Sequence, residues 1–258
     1  MPIPRLHLLE LEDQSWFPRI VRDLATDYLQ FIQTNFGLDR AMAPVFRRAL
    51  AEGRATEVVD LCSGGSGPLL LLVKDLEQEG RPVRATLTDL YPNVPAFKVI
   101  ADASGGLITF VPTSIDARAV PATLPGLRTM FNALHHFTPR DARAVLHAAA
   151  ADRQPLAIFE LSERTVKALV PILLTPLFVW LVTPFMRPFR WSRLLLTYPL
   201  PLVPFTCLWD GLVSQLRAYT PDELLELGRG APGMRWEAGK VPIVKGQGHV
   251  TYLIGIPC

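Results

Sequence analysis

The segment EVVDLCSGGSGP, residues 57–68, constrains the fold more than any other part of the chain. Glu57 to Leu61 is a short apolar and β-branched run, suited to a buried strand, and it ends in glycines that punctuate a tight turn. Leu69 to about Gln78 then reads as an apolar helix. A strand that enters a helix through glycines brings backbone N–H groups to a helix N-terminus and lets a ligand approach them closely. That suits an anionic group such as a carboxylate or phosphate. Two phosphate-binding patterns fail here. A dinucleotide GxGxxG counted from Gly65 needs glycine where Leu70 stands, and a P-loop needs Lys then Ser/Thr where Pro68 and Leu69 stand.

The rest of the chain alternates between helix and strand periodicity. From Ser15 to Asn35, Phe17, Val21, Leu24, Tyr28 and Phe31 recur at helical spacing, and Leu38 to Leu50 continues with Met42, Val45, Phe46 and Ala49. Further strands are expected at Arg84 to Asp89, Leu107 to Pro112, Leu127 to Asn132 and Pro155 to Leu161. Thr138-Pro-Arg-Asp141 supplies an N-cap, a proline at the first helical position and an acid at the third for a helix to Ala151. Thr220-Pro-Asp-Glu223 repeats that signature for a helix to Gly228, and 234–243 with 249–256 forms a terminal strand pair. Strands alternating with helices imply an α/β fold: a doubly wound, mostly parallel seven-stranded sheet with an antiparallel edge. Residues 1–54 read as an N-terminal helical cap on a domain at 55–258, with 164–230 inserted after the fifth strand.

Acids stand at three strand ends. Asp60, just before the glycines, places negative charge where a ligand's amino group would lie, which favours an amino acid over a pyrophosphate. Asp89 closes ATLTD, where a carboxylate can accept both hydroxyls of a ribose, and Asp116 in TSID can accept from an exocyclic amine. Amino acid, ribose and amine-bearing base together describe S-adenosylmethionine (SAM).

With VVDLCSGGSGP, LTDLYPN (87–93), TSID (113–116) and MFNALHHFTPRDA (130–142) in order, the chain resembles the class I SAM-dependent methyltransferases of the small-molecule type over about residues 55 to 161. The resemblance implies a cofactor site lined by Asp60, Ser63, Gly64, Gly65, Gly67, Asp89, Leu90, Ser114, Asp116 and Asn132. Methyl transfer from a sulfonium is an in-line displacement, so the protein must mainly align a nucleophile and exclude water, adding a base only where the acceptor loses a proton. No metal is required. Candidate bases are His135 and His136 after the fourth strand and Glu160 at the end of the fifth; the histidines can equally pack under the cofactor, and Glu160 can bond backbone amides. Trp16, Tyr28, Arg217 and Tyr219 are candidates for contact with the acceptor, although aromatic residues on amphipathic helices are more often core.

Composition bears on the acceptor. The chain is 49% hydrophobic and 19% charged, with 24 prolines, against about 25% charged in an ordinary domain. Much of the surplus is local, because residues 164–209 contain no Asp or Glu and carry seven of the prolines. Within that stretch 168–186 and 194–209 are uncharged, with Arg187, Arg190 and Arg193 between them. A single transmembrane span would leave the terminal strands on the wrong side of the membrane from the rest of the sheet, and the prolines disfavour a second span. Three readings stay open: a segment dipping into a membrane face, a closure over a greasy acceptor, or a packed helical lid. If the acceptor carries phosphate, the three arginines are its expected clamp. The expected partner is a hydrophobic or lipid-like small molecule, and the insertion makes a homodimer plausible.

A net charge of +2 gives no reason to expect nucleic acid. Cys62, Cys207 and Cys258 have neither disulfide nor zinc spacing, and acids interrupt any N-terminal signal-like run. These point to the cytoplasm, with the inner face of a membrane as an alternative. Two other functions fit the same motifs: a SAM-binding enzyme that uses the sulfonium charge without moving the methyl group, and a non-catalytic membrane-associated protein of the same fold.

Overall fold

The computed structural model describes residues 3–35, 38–65, 67–187, 189–243 and 248–258. The chain divides into two compact units, one of Gly37–Leu161 with Thr220–Cys258 and the other of Met1–Phe36 with Ser162–Tyr219.

The first unit is built on strands β1 (Glu57–Asp60), β2 (Arg84–Leu87), β3 (Ile108–Phe110), β4 (Leu127–Phe131), β5 (Leu156–Glu160), β6 (Met234–Pro242) and β7 (His249–Pro257). They form one sheet in the order β3-β2-β1-β4-β5-β7-β6. β1 to β5 are parallel, β7 runs antiparallel to β5, and β6 pairs antiparallel with β7. The mostly parallel seven-stranded sheet expected from the sequence is therefore present. The order turns back between β1 and β4, and a crevice opens at the carboxyl ends of strands at such a switch point.

Among the described residues this unit has the α-helices α2 (Leu38–Glu52), α3 (Leu69–Gln78), α4 (Val94–Ala103), α5 (Pro139–Ala151) and α10 (Pro221–Gly228). Phe46 and Ala49 of α2, Leu72 of α3 and Phe97 of α4 share one core with Leu87, Leu127 and Phe159 of the strands. Strand alternation sends Leu156 and Ile158 to the other side of the sheet from Ala157 and Phe159. Thr138 and Thr220 cap α5 and α10 through their hydroxyls, and Thr220 forms a full capping box with Glu223, so both N-terminal signals read from sequence lie where expected.

The second unit consists of α1 (Arg19–Asn35), α6 (Val166–Leu173), α7 (Thr175–Val182), α8 (Trp191–Thr197) and α9 (Leu202–Arg217), with a 3-10 turn at Thr183–Phe185. Val21, Leu24 and Tyr28 of α1 pack with Val179 of α7 and with Val203 and Cys207 of α9. Asp210 of α9 accepts the amide hydrogens of Leu11 and Glu12 at 2.7 and 2.9 Å, which fastens the segment preceding α1. α6 stops after Leu173 because Pro176 has no N–H to continue the ladder, and α7 begins afresh with that proline in its first turn. Among the described residues no single helix is long and apolar enough to cross a membrane; α6 with Thr175–Phe185 passes only as a pair bent by 43°.

Two boundaries differ from the sequence reading. α2 belongs with the sheet unit and not with a cap at 1–54, since Phe46 and Ala49 lie in the sheet's core. The insertion unit ends at Tyr219, not at 230, because α10 packs on β6. At that contact a Cβ on Gly228 would lie 2.8 Å from the Trp236 ring, an approach open only to glycine. α4 escaped the sequence reading. It is started by the Asn93 side chain, which accepts the Ala96 amide hydrogen at 3.4 Å, and by Pro95 in its first turn.

Candidate functional site

The site lies at the carboxyl ends of β1, β2, β4 and β5, all within the sheet unit. Asp60 is the last residue of β1 and is buried. Its Oδ1 accepts the Thr129 hydroxyl from β4 at 2.7 Å, directly across the switch point. Its backbone carbonyl accepts the Thr88 amide at 2.9 Å, the Thr88 hydroxyl at 2.8 Å and the Ser63 hydroxyl at 3.0 Å. Burial pushes the Asp60 carboxyl up to about 7; hydrogen bonding from Ser63 and Thr129 opposes that rise and the nearby Asp89 charge adds to it. Cys62 follows at φ +56°, a left-handed conformation rare outside glycine, and burial raises its thiol pKa above the ordinary value. Gly64 and Gly67 are also left-handed, at +49° and +46°. A Cβ built on Gly64 would meet nothing within 4 Å, so the turn borders open space that a ligand can fill. Gly65 stands in the same turn.

Asp89 follows β2 and secures the turn. Its Oδ2 accepts the Gly64 amide hydrogen at 2.9 Å and its Oδ1 accepts that of Tyr91 at 2.8 Å. A carboxylate has about four acceptor positions, so two remain for hydroxyls. The Asp89 carbonyl accepts from Ile115 N–H at 2.9 Å, and the Ser114 hydroxyl donates to the Leu90 carbonyl at 2.7 Å. These bonds bring 113–116 alongside 89–91, uniting four of the expected cofactor residues, with Leu90 and Tyr91 exposed beside them. Asp116 has a closer partner than the sequence reading gave it. Arg118 donates to it from Nε at 3.0 Å and Nη2 at 2.8 Å, and from Nη1 to Asp141 at 2.9 Å. The guanidinium holds the Asp116 carboxyl below its ordinary range. Oδ1 also accepts the Arg118 backbone amide hydrogen at 2.8 Å, so most of the acceptor capacity of Asp116 is used within its own loop.

Asn132 adopts φ +53° just beyond β4, where its amide donates to the Phe159 carbonyl at 2.7 Å and its Oδ1 accepts the Leu161 amide hydrogen at 3.2 Å. It ties β4 to β5 and thereby sets the turn that carries the histidines. His135 and His136 lie in a 3-10 turn, Leu134–His136, with their rings 4.2 Å apart. Glu160, fully buried at the end of β5, accepts the Leu134 amide hydrogen at 2.7 Å through Oε1, and its Oε2 lies 2.6 Å from His135 Nδ1. An ionised Glu160 requires hydrogen on Nδ1, which puts the basic lone pair of the imidazole on Nε2. Of the alternatives for Glu160, the bond to a backbone amide is present, made to Leu134, and the remaining carboxylate oxygen lies against His135.

The other candidate residues lie in the helical unit. Tyr28 is buried in that unit's core, edge-to-face with Phe178 at 6.3 Å between ring centres, and burial raises its phenol pKa above the ordinary value. Trp16 is exposed and meets Phe17 edge-on. Arg217 is buried and spends its guanidinium on Asp13 at 2.8 Å, Glu10 at 3.3 Å and the Leu8 carbonyl at 2.7 Å. Tyr219 is buried beneath the Arg5 guanidinium, 4.1 Å from its centre. The clamp of Arg187, Arg190 and Arg193 is not assembled as three outward cations. Arg193 is buried and pairs with Asp27 at 2.6 Å, and Arg190 shares the same carboxylate at 3.1 Å. A buried guanidinium needs such a partner. Arg187 and Arg190 are both exposed, and Arg187 alone of the three has no ion pair among the described residues.

Sequence reasoning missed Thr129, Thr88 and Arg118. Thr88 stands one position before Asp89, just past the end of β2, a signal present in the sequence; Thr129 lies inside β4 with no acid beside it in the chain, and the Arg118 contact needs only the spacing of two residues from Asp116.

Solved structures share this arrangement of strands and helices. Plantazolicin methyltransferase BpumL, in complex with SAH, aligns over 96% of this chain and 94% of its own with a TM-score of 0.57 and 11% identity. The fold is that of the class I SAM-dependent methyltransferases. An O-methyltransferase from neocarzinostatin biosynthesis, NcsB1, aligns over 93% of this chain with a TM-score of 0.53 and 15% identity, and the methyltransferase domain of bacterial CtHen1 over 85% with 0.51 and 12%. The chain spans 59% of the NcsB1 chain and 58% of an O-methyltransferase family protein from Burkholderia thailandensis. No family model and no curated protein matches the sequence.

Proposed function

We propose that the protein is a SAM-dependent methyltransferase that methylates a hydroxyl or amine on a hydrophobic small molecule. The observation that carries the reading is the placement of Asp60, Gly64 and Asp89 around the open turn at the β1–β4 switch point. Those residues fit the cofactor: Asp60 would meet its ammonium group, Asp89 retains acceptors for two ribose hydroxyls, and exposed Leu90 and Tyr91 would offer apolar surface to its base. SAM supplies an electrophilic methyl group when bound. The chain's own contribution is to orient and to move a proton. Glu160 orients the buried His135 through Nδ1, and in this reading the imidazole is the base that takes the proton from an acceptor O–H or N–H as it becomes the nucleophile. That favours oxygen or nitrogen over an olefinic carbon. NcsB1 was solved in complex with SAM and 2-hydroxy-5-methyl naphthoic acid, a hydroxyl-bearing aromatic compound.

The test is incubation with SAM and a cell extract divided into lipid and aqueous phases, followed by mass spectrometry. A compound of the lipid phase is expected to gain the mass of one methylene. SAM binding without any such gain would favour the non-methylating alternative, and absence of SAM binding would end both.

Asp60 adds a pH signature. Its carboxyl must be ionised to meet an ammonium, yet burial holds it near 7 in the unliganded protein. Binding therefore releases a proton below that pH. SAM affinity is expected to rise about tenfold per pH unit as pH climbs toward 7 and to level off above it. Calorimetry in buffers of different ionisation enthalpy measures both effects, and Asp60→Asn is expected to flatten the profile. A wild-type profile that is already flat would remove Asp60 from the ammonium site.

A further inference from the structure

We infer that the helical unit docks on the surface of an anionic phospholipid bilayer through the outward sides of α7, α8 and the start of α9. α7 presents Val179 to the unit's core, and its other sides carry Leu177, Trp180 and Leu181 into solvent. The exposure continues along the chain through Phe185 at 74%, Trp191 at 78%, Leu195 and Phe205. These sides are joined. Trp180 Nε1 donates to the Thr197 carbonyl at 2.9 Å, the Tyr198 hydroxyl donates to the Trp180 carbonyl at 2.8 Å, and the rings of Phe189 and Trp191 meet edge-on at 5.2 Å. Trp180 and Tyr198 thus satisfy their polar tips within the unit while their rings remain exposed. Soluble monomers rarely expose continuous apolar surface of this extent without a partner.

Charge selects the partner. Residues 164–209 contain no acid, and Lys167 and Arg187 are exposed at either end of the bent α6–α7 pair. An apolar face whose own stretch of chain carries cations and no acid, the nearby Asp27 carboxylate of α1 being paired with Arg190 and Arg193, matches headgroup phosphates over acyl chains. A symmetric contact between two copies would set this face against itself and bring the same cations together with no acid from 164–209 to meet them. The segment lies in the interface and does not cross it. α7 has eight residues, about 12 Å of helix against a hydrocarbon core of about 30 Å. Val179 also holds it to the core formed with α1 and α9.

The test is flotation of the full chain with vesicles of phosphatidylcholine alone and of phosphatidylcholine with phosphatidylglycerol. Binding to the anionic vesicles is expected at low salt and is weakened at high salt. Arg187→Glu is expected to lower the partition coefficient roughly fivefold or more. Leu181→Asp with Trp191→Asp is expected to lower it by about a hundredfold, with an unchanged circular dichroism melting midpoint because both side chains are exposed. Tryptophan fluorescence of the unaltered chain is expected to be quenched by brominated lipid. No flotation at low salt, flotation unchanged by the double substitution, or absence of quenching would overturn the inference. So would a dimer in light scattering that the same double substitution dissociates, since the face would then belong to a second copy. Flotation and quenching are read without SAM, so their failure leaves the methyltransferase reading untouched.

Discussion

Replacing Glu160 with glutamine is expected to lower kcat about a hundredfold or more while leaving SAM affinity nearly unchanged. The reason is directional. The carboxylate accepts on both oxygens, from Leu134 N–H at 2.7 Å and from His135 Nδ1 at 2.6 Å. A glutamine must give its oxygen to the Leu134 amide, which can only donate, and so turns its NH2 toward Nδ1. That forces the imidazole hydrogen onto Nε2 and removes the lone pair that would take the acceptor's proton. His135→Ala should match the glutamine variant in rate, because each removes the same base. Calorimetry with SAM separates the two possibilities for a slow variant, since a protein that still binds the cofactor normally has lost only the proton transfer. Full turnover in the Glu160→Gln protein would remove His135 as the base.

Asp89→Ala is expected to weaken SAM binding by about a hundredfold, because two charge-assisted hydrogen bonds to ribose are lost at roughly 1.5–3 kcal/mol each and part of that is recovered by water. The substitution also releases the Gly64 and Tyr91 amide hydrogens that the carboxylate accepts at 2.9 and 2.8 Å, so the turn loses its fixed shape along with the ligand contact. Asp89→Asn keeps one acceptor oxygen and should lose about tenfold. Isothermal calorimetry measures both. Equal affinity in wild type and Asp89→Ala would remove the cofactor assignment altogether, because no other described group takes that position beside Gly64.

The parallel sheet was readable because each strand ends where its chemistry changes: β1 at Asp60 before glycines, β2 near Asp89, β4 at Asn132. Those boundaries are local, and local order is what a single sequence reports. Packing partners are not local. α2 reads as a cap element by adjacency to α1, yet Phe46 lies in the core beside Leu87 and Phe159. Tyr28 and Arg217 have residue types that suit a binding site equally well as an interior, and only the fold shows that one fills a core and the other holds Asp13. Arg187 and Arg193 stand in the same short run of sequence; one turn of chain separates an exposed cation from one buried on Asp27. Thr129 was invisible as a site residue because its partner, Asp60, comes from a strand 69 residues earlier.

The helical unit is assembled from two stretches that the ribosome makes far apart. α1 leaves the exit tunnel with Val21, Leu24 and Tyr28 unburied, and the side chains that cover them, Val179, Val203 and Cys207, follow only after β1 to β5 have been synthesised. At roughly 5–20 residues per second this interval lasts on the order of ten seconds. During it the five parallel strands can begin to pair, while the first helix waits as a sticky amphipathic segment and the sheet itself lacks β6 and β7. The expected order of birth is thus parallel strands first, helical unit second, antiparallel edge last.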